Sequence, residues 1–114
     1  MQHDLIRNVE MARIDKEWNA AADAEMAIRN LSPLIPSQNT KATVKILRTA
    51  CRLAIGGKVG SDDSRDQPLN VARDEIRFAL TSLICELESG AVTRERINRA
   101  KRAVQDWKYK LAAV

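Results

Sequence analysis

Residues 40–55 read TKATVKILRTACRLAI, and the interpretation of the whole chain depends on this stretch. It carries four basic residues and no acidic residue. On a helix the cations fall at i, i+4, i+7 and i+11, so one narrow face holds Lys41, Lys45, Arg48 and Arg52. Apolar and small residues wrap roughly half of this helix, more than the ~100° stripe that one core contact needs. The helix is therefore either central in a bundle or offers a second face to a partner.

The apolar residues of this helix separate into two sets. A stripe wide enough for the core consists of Val44, Leu47, Cys51, Ala54 and Ile55. The second set, here called the shoulder, consists of Ile46, Ala50 and Leu53. An apolar face with a basic rim is typical of a helix that docks on an acidic, apolar partner. We therefore predict a partner-binding set of Ala42, Lys45, Ile46, Thr49, Ala50, Arg52 and Leu53. Burial of both faces in the core stays open as the alternative.

Three other segments also have the periodicity of helices. The first runs from Asp4 to about Asn30 with an apolar stripe of Ile6, Ile14, Trp18, Ala21, Ala24, Ile28 and Leu31. The third begins at Pro68 and ends at Gly90, and its stripe consists of Leu69, Ala72, Ile76, Ala79, Leu80, Leu83, Ile84 and Leu87. The fourth follows Thr93 as N-cap, and its stripe consists of Ile97, Ala100, Val104, Trp107 and Leu111.

Proline and glycine separate these segments. Pro33 and Pro36 follow the first helix, and Gly56-Gly57 is predicted to end the second. The sequence thus predicts an all-α fold, a small bundle of about four helices, in a single helical domain that spans residues 1–114. The first helix would be roughly 40 Å long and the second roughly 24 Å. We expect the resulting overhang to serve self-association, giving a homodimer.

The distribution of charge favours protein contacts over nucleic acid. The net charge is +4, but segments alternate in sign, with +5 in residues 37–60, −4 in residues 61–90 and +5 in residues 91–114. Basic and acidic helices can then attract each other or a second copy. The last helix carries enough cations to neutralise phosphates: Arg94, Arg96, Arg99, Lys101, Arg102, Lys108 and Lys110. The chain lacks helix-turn-helix spacing and interleaved aromatic residues, so nucleic-acid binding is the less favoured alternative.

Other classes of function lack their characteristic residues. His3 is the only histidine, so the chain lacks the residues that a histidine-based catalytic triad or a zinc site requires. We expect a protein that is not an enzyme and that binds no cofactor and no metal. No apolar run approaches the ~18 residues of a membrane span, and the N-terminus lacks the apolar centre of a signal peptide. We expect a cytoplasmic protein in which Cys51 and Cys85 are reduced core residues.

The segment PSQNTKATVKILRTACRLAIGGK, residues 36–58, also carries a resemblance. With its length and its all-helical layout, the chain resembles the QslA-type antiactivators, small helical proteins that restrain the quorum-sensing activator LasR. The resemblance implies binding to the ligand-binding domain of a LuxR-type regulator. It also implies obstruction of that regulator's dimerisation, so that the activator could not hold DNA as a dimer. No short motif transfers individual residues, so the predicted partner-binding set depends on helical geometry alone.

Overall fold

The computed structural model describes the backbone of residues 2–10 and the backbone and side chains of residues 11–33, 39–61 and 67–114. It contains four helices, α1 (Gln2–Arg29), α2 (Thr40–Val59), α3 (Gln67–Ser89) and α4 (Arg94–Ala112). Each helix packs against its neighbours in sequence, and α4 closes the bundle against α1. The backbones of the diagonal pairs, α1 with α3 and α2 with α4, do not approach each other in the described segments. The prediction of an all-α bundle of four helices is confirmed.

The buried stripes of α3 and α4 contain every residue that the sequence predicts, and the structure adds Arg73 on α3 and Ala103 on α4. All eight predicted residues of α3 and all five of α4 are buried, and all of them except Ala72 form one core cluster with residues of α1 and α2. The largest of them is Trp107, which is fully buried. None of the four helices, over the residues described, is long and apolar enough to cross a membrane.

The core stripe of α1 differs from the prediction by one position. Trp18 was expected in the core, but 39% of its surface is exposed, and its neighbour Glu17 is buried instead. Glu17 continues the spacing of Ala21, Ala24 and Ile28, so the buried face follows the helical period and not the hydrophobicity of each residue. Ile6 and the tip of the connection after Pro33, including Pro36, lie outside the described side chains.

Helix α2 continues further than the sequence predicts. It passes through Gly56 and Gly57, ends at Val59, and is followed by Gly60 at its C-cap. Of the four glycines only Gly90 has the positive φ, 81°, that a left-handed C-terminal turn requires, and it follows α3 as predicted. The prediction that Gly56-Gly57 ends α2 is therefore wrong, because both residues keep helical geometry.

Candidate functional site

The structure divides the predicted partner-binding set. Ala42, Lys45 and Arg52 are exposed, whereas Ile46, Thr49 and Leu53 are half-buried. Leu53 packs against the edge of the core. The assignment of Ala50 to an exposed shoulder is wrong, since it is fully buried.

The reason is the position of the core face on α2. This face consists of Val44, Leu47, Ala50, Ala54 and Gly57, because α2 packs against both α1 and α3 and must fill the space between them. The face is therefore rotated from the predicted stripe. Ile55, which was expected in the core, lies at its outer edge with 41% of its surface exposed.

The exposed part of α2 lines an open groove, here called the α2 groove. Its volume is about 500 Å³, and its lining consists of Thr40, Lys41, Val44, Lys45, Arg48, Thr49, Arg52 and Glu88. Three members of the predicted set, Lys45, Thr49 and Arg52, thus come together here. Glu88 reaches the groove from the end of α3, and Arg48 donates to its carboxylate at 2.8 Å.

The charge of the α2 groove is largely uncompensated. Lys41, Lys45 and Arg52 form no ion pair with any residue in the described parts of the chain. They lie within about three turns of helix, on the face opposite the core. Like charges at such spacings repel each other, and a negatively charged ligand or partner would relieve the repulsion.

The basic residues of α4 have a different environment. Four of the seven cations pair with carboxylates, in the pairs Arg96–Glu86 at 2.7 Å, Arg99–Glu75 at 2.9 Å, Lys108–Glu25 at 3.0 Å and Lys110–Asp106 at 3.7 Å. Hydrogen bonding to Glu75 and the charge of that carboxylate raise the pKa of Arg99 above its ordinary value. Lys108 also lies over the ring of Trp18, 5.0 Å from its centroid. The charges of α4 are thus satisfied in large part within the chain.

Glu86 joins the end of α3 to the start of α4. The Thr93 backbone N–H and hydroxyl both donate to its Oε1, at 2.8 and 2.9 Å. The Arg96 Nε donates to its Oε2 at 2.7 Å. Desolvation raises the pKa of Glu86, but these hydrogen bonds outweigh it and hold the pKa below its ordinary value. Thr93 caps α4 as predicted, accepting from the Arg96 backbone N–H at 3.3 Å, but the sequence alone does not indicate Glu86 as its anchor.

A second surface runs along the outside of the contact between α2 and α3, and we call it the outer seam. Arg48 and Glu88 pair at one end, Lys58 and Asp74 pair at the other at 2.7 Å, and the side chains of Cys51 and Thr81 hydrogen-bond between them. Burial raises the pKa of the Cys51 thiol, and the hydrogen bond with Thr81 partly offsets that effect. Both thiols are free, and Cys85 on α3 is exposed, so the prediction that it is a core residue is wrong.

Among the residues that the structure describes, the interior of the bundle contains one ion pair. Arg73 of α3 donates from Nε and one terminal nitrogen to the two carboxylate oxygens of Glu17, at 2.8 and 2.7 Å, and the two side chains are 3% and 1% exposed. Its other terminal nitrogen donates to Asn70 at 2.9 Å, and the Trp107 indole donates to Glu17 at 3.3 Å. No buried polar side-chain atom in the described residues lacks a hydrogen-bond partner. The pair is closed to solvent and serves packing, because nothing can reach it.

Gly57 of α2 makes room for this buried pair. A Cβ at position 57 would lie 2.8 Å from a carboxylate oxygen of Glu17 and 2.9 Å from the Arg73 Nε. Each of the four helices thus contributes one residue to a single polar layer, Glu17, Gly57, Arg73 and Trp107. In the sequence these four positions have the spacing of core residues. The sequence does not indicate that Glu17 pairs with Arg73, because the two residues are 56 positions apart.

The described residues hold no group of three or more His, Cys, Asp or Glu side chains arranged as metal ligands. Two surfaces among the described residues are candidate binding surfaces, the α2 groove and the outer seam. Comparison with known protein families, with curated proteins and with solved structures finds no match for this chain.

Proposed function

We propose that this chain is a small regulatory protein that acts by binding another protein through the α2 groove. The observation that carries the proposal is the cluster of three unpaired cations, Lys41, Lys45 and Arg52, in one open groove. A partner with carboxylates on its surface would pair with these cations and gain in both rate of encounter and specificity.

The neighbouring residues of the groove suit contact with a protein surface. Ala42 is exposed, and Ile46 and Leu53 are half-buried, so apolar atoms lie beside the charged rim. Thr49 uses its hydroxyl to donate to the backbone oxygen of Lys45 at 3.0 Å, which leaves its methyl group as a contact surface. A mixed apolar and basic surface on a rigid helix is the composition expected of a helix that docks on an acidic partner.

The resemblance to QslA-type antiactivators supplies a candidate partner, the ligand-binding domain of a LuxR-type regulator. Occupation of that domain's dimerisation surface would keep the regulator monomeric and weaken its hold on DNA. In this proposal the chain is not an enzyme and acts by stoichiometric binding alone. The alternative, direct binding of nucleic acid, has less support, because most cations of α4 are already paired with carboxylates.

The test is a titration of the purified ligand-binding domain of a LuxR-type regulator with three forms of this protein, followed by calorimetry. We expect the wild type to bind and Lys45→Glu with Arg52→Glu to weaken binding by at least about tenfold. The matched control is Lys101→Glu with Arg102→Glu, which makes the same charge change at two exposed residues of α4. We expect the control to bind as the wild type does.

Three results would count against this function. Equal weakening by both double variants would show a general charge effect with no defined groove. Absence of binding by the wild type would remove the LuxR-type partner from the proposal. A salt-dependent mobility shift of duplex DNA by the wild type at near-physiological ionic strength would favour the nucleic-acid alternative.

A further inference from the structure

The outer seam carries exposed apolar residues between its two ion pairs. The ion pairs of Arg48 with Glu88 and of Lys58 with Asp74 fix an antiparallel register between α2 and α3. In this register Ile55 lies at the level of Phe78, since Ile55 falls between Cys51 and Lys58, and Phe78 falls between Thr81 and Asp74.

These apolar residues have no role inside the bundle. Ile55 is 41% exposed and Phe78 is 59% exposed, and Cys85 is exposed on the same face of α3. Val71 continues this face by one more turn and is 63% exposed. An exposed phenylalanine beside an exposed isoleucine, bounded by charges at both ends, has the layout of an interface with an apolar centre and a polar rim.

The four ion-paired charges of the outer seam have a definite polarity across it. Its cations, Arg48 and Lys58, lie on α2, which has no acidic residue between Thr40 and Val59. Its paired anions, Asp74 and Glu88, lie on α3, which also carries the exposed Arg77 between them. A surface that is positive along one edge and negative along the other is complementary to a copy of itself that is turned so that opposite edges meet.

We propose that the outer seam is a dimer interface for a second copy of this chain, with the two-fold axis parallel to the helices. This axis places α2 of one copy against α3 of the other at the same level. Arg48 then faces Glu88 of the second copy, Lys58 faces Asp74 of the second copy, and Ile55 faces Phe78 of the second copy.

The other face-to-face arrangement has its two-fold axis perpendicular to the helices, and the charges oppose it. It would bring α2 against α2, with Arg48 near Lys58 of the second copy, and α3 against α3, with Asp74 near Glu88 of the second copy. Like charges directly opposed at an interface are unfavourable. The charge pattern therefore selects one symmetric arrangement.

The size of the outer seam indicates a weak dimer. From Asp74 to Glu88 the seam is about 20 Å long, and two helices side by side make it roughly 20 Å wide. The footprint of about 400 Å² per copy is half of the ~800 Å² that a stable complex buries on each partner. We expect a reversible dimer with a dissociation constant in the micromolar range or above, about 1 µM to 1 mM.

The first test is sedimentation of the full chain over a concentration range of about 1 µM to 1 mM. We expect the wild type to dimerise and Phe78→Glu to weaken dimerisation by at least about tenfold, because it places a charge in the apolar centre. The matched control is Tyr109→Glu, which removes an aromatic ring that is 74% exposed on α4, away from the seam. We expect the control to dimerise as the wild type does.

A second test reads the orientation through charge exchange. Arg48→Glu and Glu88→Arg should each dimerise more weakly than the wild type, since like charges then face each other. A mixture of the two variants should form a heterodimer, because every exchanged charge meets its opposite.

The proposal is overturned by a wild type that stays monomeric throughout, or by a dimer that Phe78→Glu leaves unchanged. Stronger self-association of Arg48→Glu, which the perpendicular axis would produce, overturns the orientation, as does failure of the mixture to form a heterodimer. Arg48 and Glu88, which read the orientation, also line the α2 groove, but Phe78 and Tyr109, which test the dimer itself, lie outside it. The first test therefore does not depend on the proposed function.

Discussion

Helices α2 and α4 are both strongly basic, but they place their cations differently. In α2, three of five cations are unpaired within the described residues, and they share one groove. In α4, four of seven are paired with carboxylates, and the other three are Arg94, Lys101 and Arg102. Arg94 and Lys101 lie about two turns apart on one face, and Arg102 diverges from Lys101 by about 100° around the helix, so the three do not form a single surface.

The difference follows from where each cation lies relative to the core stripe, because both helices pack against the acidic helices α1 and α3. Arg99 and Lys108 flank the stripe of α4 and reach the carboxylates of a neighbouring helix. In α2, Arg48 and Lys58 flank the stripe and are paired, whereas Lys41, Lys45 and Arg52 lie opposite it. The net charge of a segment therefore says less about its partners than the angle between its charges and its buried face.

The largest expected effect on stability comes from breaking the buried ion pair of Glu17 with Arg73. Helix α2 contacts this pair through Gly57, and α4 contacts it through Trp107. Glu17→Ala leaves Arg73 buried without its carboxylate and should lower the free energy of unfolding by about 3–5 kcal/mol. Equilibrium unfolding in urea measures this loss. The control is Asp23→Ala, at an exposed position of the same helix, which should leave stability unchanged. A small loss for Glu17→Ala would show that Arg73 finds water or another acceptor.

An intermediate effect on stability is expected from alanine substitution of two adjacent glycines of α2, and the two substitutions should have opposite signs. Gly57→Ala places a Cβ against Glu17 and Arg73 and should lower the free energy of unfolding by about 1–3 kcal/mol. Gly56→Ala meets nothing within 4 Å and should raise it by up to about 1 kcal/mol, because alanine favours the helix. Urea unfolding of both variants checks the pair. Equal effects with the same sign would show that the polar layer does not constrain α2.

The smallest effect compares one paired and one unpaired cation. Lys108→Ala removes an ion pair with Glu25 and a contact with the Trp18 ring, and should lower the free energy of unfolding by about 0.5–1 kcal/mol. Lys45→Ala removes a cation surrounded by Lys41, Arg48 and Arg52, so stability should stay the same or rise slightly. Parallel urea titrations at low and at moderate salt measure both. A loss of stability for Lys45→Ala would mean that the charge of the α2 groove is compensated.

The sequence was sufficient for the number of helices and for most of the core stripes of α3 and α4, although it missed the buried Arg73 and Ala103. The stripes of α3 and α4 were predictable because their apolar residues keep one helical period over the whole length of each helix. On α1 the same reasoning chose Trp18 over Glu17, because the pairing that permits a buried carboxylate comes from Arg73, 56 residues away. The end of α2 was mispredicted since the glycines of a helix interior and of a C-cap have the same sequence signature.

The site was less predictable than the fold. The basic edge of α2 and its exposed positions Ala42, Lys45 and Arg52 followed from periodicity. The burial of Ala50 did not, because the core face of α2 depends on which two helices flank it. The ion pairs of α4 and the anchor at Glu86 required the order of helices around the bundle, which a single sequence does not contain.

The polar layer also predicts which positions should change together among homologues. Glu17, Gly57, Arg73 and Trp107 make one interlocking contact, so a change at one of them alters the constraint on the other three. A relative that replaces Arg73 with an apolar residue must also replace Glu17, and it is then free to carry a side chain at position 57. We expect these four positions to change together among homologues. Their joint presence would be a signature for recognising distant relatives whose surfaces have diverged.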